Sequence, residues 1–182
     1  MKNILKWTLI TVVGLVIILF AAFKYMQSQT KKNSPEQTIT FKNDGKEVSV
    51  FYCRPSKKGR EIFGSLVPYD QVWRTGANEA STFTSNKDLE VAGKNLPAGK
   101  YTLWTIPGKD SWQIIFNKKE YSWGVNFKAE PSREPEADVL QVSVPVKKLG
   151  EAVELFTISF NEASSPDMTL SWDKTQVVVP IK

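Results

Sequence analysis

Two stretches of the chain alternate strictly between apolar and polar residues: Leu140-Gln141-Val142-Ser143-Val144 and Phe156-Thr157-Ile158-Ser159-Phe160. A period of two puts the apolar side chains on one face of a strand, so both read as strands with one buried face. Shorter runs of the same kind predict strands at Thr38–Lys42, Glu47–Cys53, Ser81–Ser85, Leu89–Val91, Tyr101–Ile106, Trp112–Asn117, Thr169–Trp172 and Gln176–Ile181. Between them, Asn95-Leu96-Pro97, Ala98-Gly99 and Pro107-Gly108 supply short turns. All ten prolines and nine of the ten glycines follow residue 34, and the longest later stretch free of both, 77–92, has 16 residues. Long helices are therefore excluded from that part. The expected fold class is all-β, an antiparallel β-sandwich of jelly-roll or immunoglobulin-like kind.

Two segments break the alternation. In 61–73, Ile62, Leu66, Tyr69 and Trp73 recur at helical spacing around Gly64 and Pro68, which predicts a turn or two of helix inside a compact loop. Lys118–Asp138 mixes Lys, Glu, Pro and Ser around Trp123-Gly124 and reads as a solvated loop.

The N-terminus has a different pattern. From Trp7 to Phe23, WTLITVVGLVIILFAAF carries no charge over 17 residues. Counted from Ile4, with Lys6 snorkelling, the run reaches about 20 residues or roughly 30 Å of helix, enough to cross a bilayer core. Ala21 and Ala22 are adjacent, Phe23-Lys24 follows, and neither a small-x-small cleavage site nor a lipobox cysteine is present. The expected organisation is a membrane anchor at 1–23, with residues 4–23 in the cytoplasmic membrane, a polar tether at 24–37 and a β-sandwich domain at 38–182. A very short N-terminal tail stays inside, so the domain is expected on the periplasmic or extracytoplasmic side of a bacterial membrane.

Charge removes one class of partner. Of 24 basic residues, Lys2, Lys6, Lys24, Lys31 and Lys32 lie in residues 1–33, and residues 34–182 carry equal numbers of basic and acidic groups. A phosphate-tracking surface needs excess charge on the domain, so no nucleic-acid partner is expected. The chain has no histidine and a single cysteine. That eliminates Ser-His-Asp and Cys-His catalysis, a closed structural zinc site and an intrachain disulfide. No catalytic residue, cofactor or metal ligand set is expected, and Cys53 reads as a small buried hydrophobe.

Residues 54–82, RPSKKGREIFGSLVPYDQVWRTGANEAST, gather Arg54, Lys57, Lys58, Arg60 and Arg74 with Glu61, Asp70, Asn78 and Glu79 around Gly59, Gly64 and Gly76. With the later runs LPAGKYTLWTIP (96–107) and WQIIFN (112–117), this segment resembles the bacterial family of unknown function numbered 2911, over nearly all of the chain beyond the anchor. The resemblance implies membership and no activity. Ser81 stands where the family usually has Thr, and Gln141 where many members have Arg.

Guanidinium groups beside glycine turns suit a carboxylate or phosphate held bidentately. The candidate ligand-binding residues are Arg54, Lys58, Arg60, Arg74, Asn78 and Glu79, with Trp104 and Trp123, which lie beside turns and read as more open than Trp112 and Trp172. The competing reading pairs Arg54, Arg60 and Arg74 with Glu61, Asp70 and Glu79 to staple the loop down. The leading expectation is a membrane-anchored binding module for an unknown small molecule or envelope protein. The alternatives are a carboxylate-dependent, glycosidase-like hydrolase using Glu61 and Glu79, and a structural or assembly factor of the cell envelope.

Overall fold

A computed structural model describes residues 2–161 and 166–182. The chain divides into two compact units, residues 1–33 and 34–182. The first is one helix, α1 (Lys2–Asn33), long and apolar enough to cross a membrane. Residues 24–33, read from the sequence as tether, continue this helix.

The described residues of the second unit form nine strands, all paired antiparallel. They are β1 (Glu36–Asn43), β2 (Lys46–Cys53), β3 (Thr82–Ser85), β4 (Leu89–Val91), β5 (Lys94–Leu96), β6 (Gly99–Pro107), β7 (Ser111–Asn117), β8 (Asp138–Phe160) and β9 (Asp167–Pro180). Seven of them form one sheet in the order β1-β2-β3-β6-β7-β8-β9, and β4-β5 is a separate hairpin. The all-β antiparallel fold expected from the sequence is present, as one curled sheet whose two halves face each other.

Strand β8 produces the curl. Its first part, 138–145, pairs with β7, and its remainder with β9, with register shifts after Lys148 and Val153. Such irregularities bend and twist a strand. The far end of β8 returns to β2: the Tyr52 hydroxyl donates to the Ile158 carbonyl at 3.1 Å and accepts from the Ile158 amide at 2.8 Å. Beyond β2, Lys57 and Phe156 amides donate to the Glu154 and Pro55 carbonyls, so residues 55–57 edge against β8. The core enclosed this way contains Val48, Val50, Phe83, Leu103, Ile114 and Phe116 from one half, and Phe156, Ile158, Leu170 and Val177 from the other.

The segment 61–73 contains no helix. Gly64 (φ +94°) and Asp70 (φ +60°) adopt left-handed backbone, and Pro68 removes a donor. The chain makes a wide turn in which Val67 N donates to Ile62 O at 2.8 Å and Gly64 N to Val67 O at 2.9 Å. The spacing of Ile62 and Trp73 reflects burial in the core beneath that loop. There Trp73 stacks on Trp172 with centroids 5.9 Å apart and meets Phe156 at 4.9 Å, while Phe63 meets Trp112 at 5.0 Å.

Candidate functional site

The residues 73–81 run along β6 where β3 leaves off. Trp73 and Thr105 exchange backbone hydrogen bonds at 2.7 and 3.0 Å, and Leu103 N donates to Ser81 O at 2.8 Å, so both ends of the loop are pinned. Between these pins the backbone is strained: Thr75 (φ +54°), Gly76 (φ +145°) and Asn78 (φ +57°) all have positive φ. A β-branched residue in the left-handed region is a genuine outlier that only firm surroundings maintain. Thr75 has them, because its Oγ1 bonds Thr105 Oγ1 at 3.2 Å and its carbonyl accepts the Ser81 hydroxyl at 2.8 Å. Gly76 is required at its position, since a Cβ there would lie 2.8 Å from the Cys53 carbonyl oxygen.

This loop presents two donors with little to bond. The half-buried Arg74 guanidinium donates from Nε to the Gly76 carbonyl at 3.4 Å and pairs with no carboxylate among the described residues. Burial pushes its pKa down. Asn78, 8% exposed, holds an Nδ2 with no acceptor. Gly124 joins the two groups. Its amide donates to the Asn78 carbonyl at 2.9 Å, and its missing side chain leaves room for the Arg74 stem, whose Cδ lies 2.4 Å from where a Cβ would stand.

Beneath the loop, the register of β1 on β2 sets Glu36 opposite Cys53. The Glu36 and Glu79 carboxylates and the Cys53 sulfur lie within 4.8 Å of one another. Cys53 Sγ donates to Glu79 Oε2 at 3.4 Å, and burial followed by the Glu79 bond pushes the thiol pKa up to about 12. Cys53 is thus a protonated donor, consistent with a buried structural thiol. Two consequences can be measured. Native Cys53 should react with a thiol reagent at pH 8 far more slowly than after unfolding in urea. Because the folded thiol keeps a proton that the unfolded one loses above about pH 9, stability should fall as pH rises from about 9 towards 12. Cys53→Ser should flatten that part of the curve.

The other candidates separate. Arg54 fastens β2 to β8, with Nε on Phe156 O at 3.2 Å and Nη2 on Thr157 Oγ1 at 2.8 Å. Arg60 is exposed and bonds its own loop through Lys57 O and Ser56 O. Lys58 is exposed, and its amide donates to Glu154 Oε1 at 2.8 Å. Stapling of this loop therefore uses backbone carbonyls and a hydroxyl for Arg54 and Arg60, together with the Lys57–Asp173 ion pair at 2.7 Å. Trp104 is a correction: it is fully buried on the outer face of the sheet, against Ala80 and Ile115, with Tyr121 edge-on at 5.6 Å. Alternation does turn it away from the main core, but the 72–80 loop and Tyr121 cover that face. Trp123 is half-buried beside Gly124. Glu61 lies exposed on the wide turn while Glu79 is held at Cys53, and no described contact joins them.

The fold and this loop define an all-β domain with a strained, donor-rich strap over one end of its sheet. The chain belongs to the family described as a protein of unknown function, DUF2911, whose family model matches residues 34–181. No curated protein and no solved structure is detectably similar to it.

Proposed function

We propose that this protein is a membrane-anchored, non-catalytic binding module outside the cytoplasmic membrane, and that it takes an anionic carboxylate or phosphate ligand on Arg74 and Asn78. The observation that carries this reading is the buried Asn78 Nδ2, left without an acceptor beside a half-buried Arg74 guanidinium that has only the Gly76 carbonyl to bond. A buried N–H with no partner costs about 1–3 kcal/mol, so a domain that keeps Asn78 Nδ2 in that state, beside a guanidinium and a strained backbone, has a use for it. An oxyanion supplies the acceptors, and the planar guanidinium can hold it bidentately. The backbone bonds that pin Trp73 to Thr105 and Ser81 to Leu103 support a fixed frame for the loop.

The probes are inorganic phosphate and citrate, added to purified residues 34–182. Binding to the folded state alone raises stability, by about 2.7 kcal/mol at a hundredfold excess over Kd. Arg74→Lys is expected to keep the ligand-free melting temperature, because Arg74 makes no ion pair that the change would break, and to lose most of the ligand-induced rise. An equal rise in wild type and Arg74→Lys, or no rise with either anion, would sink the proposal. The anchor is tested separately: the full chain should stay with membranes in high salt and leave them only with detergent. Recovery of a species beginning near Phe23 or Lys24 would instead mean cleavage.

A further inference from the structure

One feature of the domain lies outside the donor pair. Phe127 is 111% exposed, the most exposed large apolar side chain among the described residues of 34–182, where Leu66 (46%) and Val139 (39%) follow. It is held out by a braced turn. Asn126 Oδ1 accepts the amides of Lys128 at 2.8 Å and Glu130 at 3.1 Å, and Asn126 Nδ2 donates to Glu130 Oε2 at 2.9 Å. The Asn126 amide donates to Glu130 O at 2.8 Å, the Ala129 amide to Asn126 O at 3.0 Å, and Ser132 N to Gly124 O at 3.2 Å. Ala129 accepts a left-handed φ of +63° to complete the turn. So many bonds fix a tip whose first residue, Phe127, is fully exposed, and an aromatic ring left in water is unfavourable by the area it exposes.

We propose that Phe127 is a bilayer contact, inserted at the boundary of headgroups and acyl chains when the domain is tethered by α1. This rests on the anchor reading above and is independent of the anion site. A protein partner is disfavoured by area: a stable interface needs about 800 Å² on each side, and the other residues of the turn are Asn126, Lys128, Ala129 and Glu130, of which only the small Ala129 is apolar. A single aromatic suffices for a surface to which the domain is already attached, because attachment makes the second contact intramolecular. Membranes place aromatic rings at that depth. The 118–136 segment carries four basic and four acidic residues, so the contact needs no anionic lipid.

The test uses the full chain reconstituted in phosphatidylcholine vesicles, with a nitroxide label on Lys128→Cys. Lys128 contributes only its amide to the turn, and buried Cys53 is not labelled under native conditions. A label on exposed Lys174→Cys is the control. The expected result is that the label at 128 is shielded from an aqueous nickel chelate and reached by oxygen, that the label at 174 is not shielded, and that Phe127→Ala abolishes the shielding at 128. Vesicle-bound protein whose label at 128 is as open to the chelate as that at 174 would overturn the contact and leave the anchor standing. Shielding that survives Phe127→Ala would also overturn it. Protein that fails to float with the vesicles would overturn the anchor, and the contact with it.

Discussion

Trp172→Ala is expected to destabilise the domain by about 3–5 kcal/mol, the range for emptying a buried aromatic site. Trp172 is almost wholly buried, stacks on Trp73 at 5.9 Å, meets Phe156 at 6.0 Å and Phe63 at 6.2 Å, and donates its indole N–H to Glu154 O at 3.2 Å. Those neighbours come from β8 and from the 61–73 loop, so the cavity would open where the loop joins the two halves of the sheet. They are also rigid rings, which cannot collapse into the space. For a domain of this size each kcal/mol lowers the melting temperature by roughly 2–4 °C. Urea unfolding of residues 34–182 measures the loss, and a change under about 1 kcal/mol would show that the aromatic cluster does not close the fold as described.

Gly76→Ala should have the second largest effect, by a different route. The backbone at φ +145° is open to glycine alone, and the added Cβ would meet the Cys53 carbonyl oxygen at 2.8 Å, a backbone atom that cannot swing aside. The conformational strain is about 1–3 kcal/mol, and the contact adds to it. Since β2 ends at Cys53 and the loop is pinned at Trp73 and Ser81, relief requires the strap to lift. Gly76→Ala should therefore lower the melting temperature and raise the thiol reactivity of Cys53 together. Lost stability with Cys53 still protected would mean that the strap does not cover it.

Much of the fold was legible because alternation survives wherever one strand face is buried. It failed where strands are long. From the sequence strand β8 reads as two, since Pro145 and Gly150 interrupt its pattern, and β9 likewise, since the polar run Asp173-Lys174-Thr175, where Asp173 takes a φ of +49°, breaks the alternation between Trp172 and Gln176. Strand β5 was missed because Lys94-Asn95-Leu96 buries only Leu96 and is flanked by turn residues. At the site, Arg74, Asn78 and Glu79 stood out by residue type in a glycine-rich loop. Glu36 and Cys53 did not, because their meeting with Glu79 depends on the β1–β2 register and on the loop's return over β2. The fate of Arg54 was hidden for the same reason, its partners being about a hundred residues away on β8.

The most direct test of the anion site is the nuclear magnetic resonance of the two side chains that form it. In isotope-labelled residues 34–182 titrated with phosphate, the Arg74 guanidinium protons and the Asn78 Nδ2 protons should shift together along one binding curve. Gly124→Ala, whose Cβ would occupy the space of the Arg74 stem, should remove both shifts while Asn78 itself is unaltered. Shifts confined to exposed lysines such as Lys128, with Arg74 and Asn78 unmoved at saturation, would contradict the account.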